Sequence, residues 1–114
     1  MPYLIKRVYD APAPEDGYRV LVDRLWPRGL TKERAALDLW LKDVAPSTEL
    51  RTWFHAQPDG FAEFAQRYRA ELATNPAVDQ LRAAALAHPA ITLLYSVRDP
   101  VRNHAAVLAD FLQR

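Results

Sequence analysis

Hydrophobic positions along the chain fall into two kinds of pattern. Two short stretches are apolar without alternation, Val20-Leu21-Val22 and Ile91 to Val97. Unbroken runs of this kind fit strands covered on both faces. Elsewhere the apolar residues recur at helical spacing. Phe61, Phe64, Ala65, Tyr68 and Leu72 share one helix face. Val78, Leu81 and Ala85 share another, on a helix opened by Asn75 as N-cap and Pro76 as its first residue and ending near His88-Pro89. Tyr3 to Tyr9 reads as a first strand with Leu4 and Val8 inward, and Tyr18 to Leu25 as a second. Leu37, Leu39 and Leu41 alternate with Asp38, Trp40 and Lys42, which predicts a short third strand, with a short helix as the competing reading. Thr31 and Ser47 are placed to cap two short helices, each with an acid in its first turn, Glu33 and Glu49. Asp99-Pro100 predicts the start of the last helix, with Val101, His104, Ala105, Leu108 and Leu112 inward.

These elements predict an α/β fold: one three-layer domain over residues 1–114, with a small, mostly parallel sheet of about four strands and helices on both faces. Three helices separate the third strand from the last, long enough for a crossover and a parallel pairing. The loop 10–17 is too short for a crossover helix, which predicts that the first two strands are antiparallel.

In an α/β sheet, ligands bind outside the carboxyl ends of the strands. The second strand runs out at that end into Asp23, Arg24, Trp26, Pro27, Arg28 and Gly29. Lys42 and Ser47 follow the third strand, and Ser96, Arg98 and Asp99 follow the fourth. Arg51 lies one turn into the helix after Ser47, and Asn103 and His104 lie in the first turns of the last helix. If the strands are parallel, these groups share one edge, with two helix N-termini that favour an anion. Arg24, Arg28 and Arg51 are then the anion-holding residues, supported by Lys42, Ser47, Arg98 and Asn103. Trp26 is a stacking surface, and Asp23 and His104 are the candidate acid and base. Plainer readings stand beside these: Ser47 as a cap only, Trp26 as packing, Asp23 as half of a structural ion pair, His104 as a core histidine. His55 and His88 read as surface residues.

Composition narrows the options. The chain has no Cys, which excludes disulfides, thiolate nucleophiles and Cys-ligated metals. Its three His show no recognised metal-ligand spacing, so no metal is expected, and no cofactor is indicated. With three Gly there is no phosphate-binding glycine loop. A formal charge of +1 gives no long-range field for nucleic acid or an anionic membrane. No apolar run approaches the ~18 residues of a membrane span, and the start carries no basic-then-apolar leader, so a cytoplasmic protein is expected.

The strings Arg19-Val20-Leu21-Val22-Asp23-Arg24-Leu25-Trp26-Pro27-Arg28-Gly29, Trp40-Leu41-Lys42, Ala45-Pro46-Ser47, Leu50-Arg51, Glu71-Leu72, Thr92-Leu93-Leu94-Tyr95 and Asn103-His104-Ala105, with Phe64 and Tyr68, resemble the YeaO-like branch of the DUF488 family. The resemblance covers nearly the whole chain. It implies a small bacterial or archaeal α/β protein of a family without an assigned activity. Longer DUF488 proteins carry a Cys-His-Arg motif after the last strand and an Asp-Val-Arg type motif after an earlier one. The matching places here are Asn103-His104-Ala105 and Asp23-Arg24. His104 matches; the Cys and the Arg do not, so thiol chemistry is not expected. The resulting expectation is a protein that binds a small anionic ligand, phosphorylated or nucleotide-like, with Asp23 and His104 available for proton transfer. The alternatives are an interaction or homodimer module with Trp53 and Phe54 as anchors, and a nucleic-acid module with Trp26 and Trp53 stacking on bases.

Overall fold

The computed structural model describes residues 3–114. The four strands β1 (Tyr3–Arg7), β2 (Tyr18–Leu21), β3 (Leu39–Trp40) and β4 (Ile91–Tyr95) form one sheet in the order β1-β4-β2-β3. Every pairing is parallel. Tyr3 and Tyr18 both lie opposite Ile91, and Leu94 lies opposite Lys6 on one side and Leu21 on the other. All five residues of β4 are buried, as an unbroken apolar run in a central strand requires. Regular pairing stops sooner than the apolar runs do: β2 ends at Leu21 and β4 at Tyr95, although the Val22 N–H still donates to the Leu94 carbonyl.

Alternation across the sheet sorts side chains between two cores. Val20, Val22, Ile91, Leu93 and Tyr95 face the larger one. That core is closed by α2 (Thr48–Ala56), α3 (Phe61–Leu72), α4 (Ala77–Ala87) and α5 (His104–Gln113), through Leu50, Phe64, Tyr68, Leu81 and Leu108. Leu21 and Leu94 face the smaller core, with Val8, Leu30 and Ala35. Its cover is the single turn α1 (Lys32–Ala35), capped by Thr31 as predicted, and the loop carrying Trp26.

Three expectations need correction. β1 and β2 are not antiparallel neighbours. They point the same way, because β4 enters between them. At about 3.3 Å per residue the segment 8–17, which holds only the 3-10 turn Pro14–Asp16, is long enough to cross the sheet without an α-helix. Gly17 makes this possible: its φ of +65° is left-handed, and a Cβ there would lie 2.4 Å from the Ala90 carbonyl oxygen. Leu4 is exposed rather than inward; it sits on the edge strand, on the face with the thinner cover. The last helix starts at His104, not after Asp99. Asp99 closes its own turn by accepting the Val101 and Arg102 N–H groups, which leaves Val101 exposed.

The returning segment is pinned by a buried polar cluster under the smaller core. The Asp16 carboxylate pairs with Arg19 and, at 3.1 Å, with Lys6, and accepts the Ala13 N–H. Arg19 also donates to the Ala35 and Ala36 carbonyls, tying α1 to β2. Thr92 Oγ1 donates to the Asp16 carbonyl, tying the segment to β4. Burial by itself would raise the Asp16 pKa, but the Ala13 N–H and the two cations outweigh it and hold the carboxyl below its ordinary value. A lowered folded pKa means that Asp16 stabilises the fold above the unfolded value of 3.8 and that this stability is lost as pH falls through the folded value. Asp16→Asn is therefore expected to destabilise the protein at neutral pH by about 3 kcal/mol, since it leaves a buried cation short of its partner. Urea titrations from pH 7 to pH 2 check this: below about pH 4 the wild type should lose stability faster than the variant, and the two should converge.

Candidate functional site: a cleft at the strand ends

Because all strands are parallel, the chain leaves β2 and β4 at the same edge, and a cleft of about 540 Å³ opens there. Asp23 lies at its inner end. One carboxylate oxygen, Oδ2, accepts both the backbone N–H (3.1 Å) and the hydroxyl of Ser96, so the exits of β2 and β4 are clamped together. The Asp23 carbonyl accepts the Trp40 indole N–H at 2.8 Å, which joins the end of β3 to the same point. The other oxygen, Oδ1, lies 2.9 Å from His104 Nε2, in a contact misaligned for a hydrogen bond. Neither atom has another partner among the described residues, and both are shut off from solvent.

His104 reaches this place because Asn103 sets the start of α5. Asn103 is extended and 1% exposed; its Oδ1 accepts the Ala106 N–H, and its Nδ2 donates to the Asp99 carbonyl. Its side chain thus caps α5 and ties the helix start back to the Asp99 turn.

The opposite wall is the strap 44–47. The Tyr68 hydroxyl donates to the Val44 carbonyl, and the Ser47 N–H and hydroxyl donate to Glu71 at 2.9 and 2.6 Å. Burial pushes the Tyr68 phenol well up, with the carboxylates of Glu71 and Asp23 adding to the effect, so it stays a neutral donor. Arg24 Nη2 donates to the Ala45 and Pro46 carbonyls at 3.3 and 3.4 Å, while its Nε is buried without a partner among the described residues.

Seven of the ten residues expected here line the cleft: Asp23, Arg24, Trp26, Arg28, Arg51, Asn103 and His104. Trp26 does so as a wall, with its indole N–H given to the Leu30 carbonyl and its edge against Trp40. Lys42, Ser47 and Arg98 do not line it. Lys42 lies over the Trp40 ring, Ser47 is a cap bound to Glu71, and Arg98 is exposed. Each of the two helix N-termini spends one N–H on its cap: Leu50 donates to Ser47 Oγ and Ala106 to Asn103 Oδ1. His55, Phe54, Phe64 and Arg102 line the cleft unannounced. Phe54 and Phe64 stack on each other at 4.5 Å, so Phe54 is a wall and not an exposed anchor. Trp53 is outside the cleft, covered by Arg67. Among the described residues no group of three acidic or histidine side chains is placed to hold a metal ion, and no helix is long and apolar enough to cross a membrane.

Residues 3–114 match a family model described as the inactive DUF488-N3 subclade. The chain belongs to this DUF488 subclade. It is 49% identical over 108 residues to a protein of Escherichia coli (strain K12) named uncharacterized protein YeaO, a match covering 95% of this chain and 94% of that one. It is 47% identical over 108 residues to uncharacterized protein Rv3073c of Mycobacterium tuberculosis (strain H37Rv), covering 95% and 91%. No solved structure matches it.

The clamp at Asp23 generates a stability prediction. Asp23→Ala strips the Ser96 N–H and hydroxyl of their acceptor at the meeting point of two strands. A cost of about 1–3 kcal/mol is expected for the unsatisfied groups. Ser96→Ala, which removes the hydroxyl but keeps the backbone bond, should cost less. Urea midpoints of the two variants measure both, and an unchanged midpoint for Asp23→Ala would refute the clamp.

Proposed function

We propose that this protein binds a small anionic ligand, phosphorylated or nucleotide-like, in the cleft at the strand ends, and that it binds without turning it over. The observation that carries the reading is the convergence of Arg24, Arg28, Arg51 and Arg102 on one cleft. These side chains come from three parts of the chain: the exit of β2, the second turn of α2 and the approach to α5. Arginine holds its charge at any working pH and offers a planar fork suited to phosphate or carboxylate. A guanidinium Nε buried without a partner, as in Arg24, is a donor that a ligand or a water can satisfy.

Binding without turnover is favoured by what the other polar groups are doing. The Ser96 hydroxyl donates to Asp23, the Asn103 side chain is spent on capping, and no thiol exists in the chain. The subclade's description as inactive agrees with this. A second reading draws on Leu25 (60% exposed) and Val97, apolar and exposed on the cleft wall, with exposed Val101 nearby in sequence: these suit contact with a partner chain or a second copy.

Anion binding to the folded state must raise the melting temperature. Phosphate is expected to stabilise the wild type more than chloride at matched ionic strength. Arg51→Ala and Arg28→Ala, both exposed positions, should fold normally and lose most of that increment, while His104→Gln should keep it. A thermal melt in the two salts decides the matter. If phosphate gives nothing beyond chloride, the anion reading fails and the partner-surface reading moves ahead.

A further inference from the structure

The cleft is not chemically uniform from its floor to its mouth. Its inner end is made by Asp23, 9% exposed, by the His104 side chain, 13% exposed, and by Phe64, which is buried. Trp26 and Phe54, both half-buried, flank it. Its mouth is made by Arg28, Arg51 and Arg102, all exposed. A phosphate pushed to the inner end would meet the Asp23 carboxylate across aromatic walls, where little water screens like charges. The same phosphate at the mouth meets three arginines. A ligand that satisfies both ends has its anion outside and an uncharged, flat, hydrogen-bonding group inside.

Resting on the anion reading above, we propose that the ligand is a nucleoside phosphate bound base-inward, with its phosphate held at the mouth by Arg28, Arg51 and Arg102 and its base read by His104. Phe54, Phe64 and Trp26 supply apolar and aromatic surface for the ring. Asp23 acts through His104 as a positioning residue. The carboxylate lies 2.9 Å from Nε2 and fixes where the imidazole sits in the cleft wall. The imidazole offers a polar ring edge against which the hydrogen-bonding edge of a base can be read. Asp23 and His104 have a use here that requires no catalysis: they read a base.

The test measures binding to the wild-type protein by calorimetry. The probes are inorganic phosphate, ribose 5-phosphate, the four ribonucleoside 5′-monophosphates and their four nucleosides. At least one monophosphate should bind tenfold or more tightly than ribose 5-phosphate, and tenfold or more tightly than its own nucleoside. Arg51→Ala should weaken that monophosphate about tenfold and leave the nucleoside unchanged. Amide spectra of the wild type give a second readout independent of any variant. The Asn103 and His104 signals should move with the monophosphate but not with inorganic phosphate, and those of Arg28 and Arg51 with both. If ribose 5-phosphate matches every monophosphate, or inorganic phosphate moves the Asn103 and His104 signals, the base-inward proposal is overturned and the anion reading survives. If a nucleoside binds as well as its monophosphate, or no phosphorylated probe binds, both fall.

Discussion

Every strand in this sheet runs the same way, and the rest of the molecule follows from that constraint. A parallel pair cannot be closed by a tight turn, so each connection must carry the chain back across a face of the sheet. β1 returns through the segment 8–17, β2 through the loop that holds α1, and β3 through the three helices α2 to α4. The first of these has no α-helix, only a single 3-10 turn at Pro14–Asp16. It is held by charge instead, with Asp16 tied to Lys6, Arg19 and, through its carbonyl, Thr92. Buried charges of this kind are tolerable only when paired and hydrogen-bonded, and here the cluster is both. The same parallel arrangement brings the exits of β2 and β4 together, which is why a cleft lies at that edge and why one carboxylate, Asp23, can clamp both exits.

The cleft is built from groups with unequal freedom. On the side of β4 and α5, Ser96, Asn103 and Asp99 are engaged in backbone contacts. On the strap side, Tyr68 and Glu71 from α3 hold residues 44–47, and the strap in turn holds the Arg24 guanidinium. The groups left with unused hydrogen-bonding capacity are Asp23 Oδ1, His104 Nε2 and Arg24 Nε, all buried, and the exposed arginines. A rigid frame with a few unspent polar groups facing a partly apolar hollow is the usual form of a small-molecule site.

Much of this was legible in the residues. The unbroken runs at Val20-Leu21-Val22 and Ile91 to Tyr95 locate the two innermost strands, because burial on both faces removes the polar alternation. Thr31 and Ser47 mark their helices through the one side-chain oxygen each contributes. Where sequence and structure differ the cause is shared: local chemistry suggests a partner that the tertiary arrangement replaces. The loop 10–17 looks like a hairpin connection because nothing local reveals that β4 will enter between β1 and β2. Asp99-Pro100 looks like a helix start because Asp99 does cap two N–H groups, yet the chain turns once more before Asn103 caps the helix itself. Ser47 and Lys42 were expected at the cleft by proximity in sequence; Glu71 and Trp40 claim them instead, and those are tertiary partners. Phe54 reads in sequence as an exposed anchor rather than a cleft wall, and His55 and Arg102 carry no signal beyond being near a predicted element end.

The position of β4 also sets an order of events during synthesis. It is the last strand to be made and the one that β1 and β2 both need. Until residue 95 has emerged from the ribosome, β1 has no partner at all, and β2 has only the two-residue β3. The nascent chain therefore holds β1 unpaired and one edge of β2 open while residues 22–90 are added, a condition that invites misassociation. Completion of the sheet is a late, long-range closure, and it is the insertion of Ile91–Tyr95 that joins the first residues of the chain to the rest.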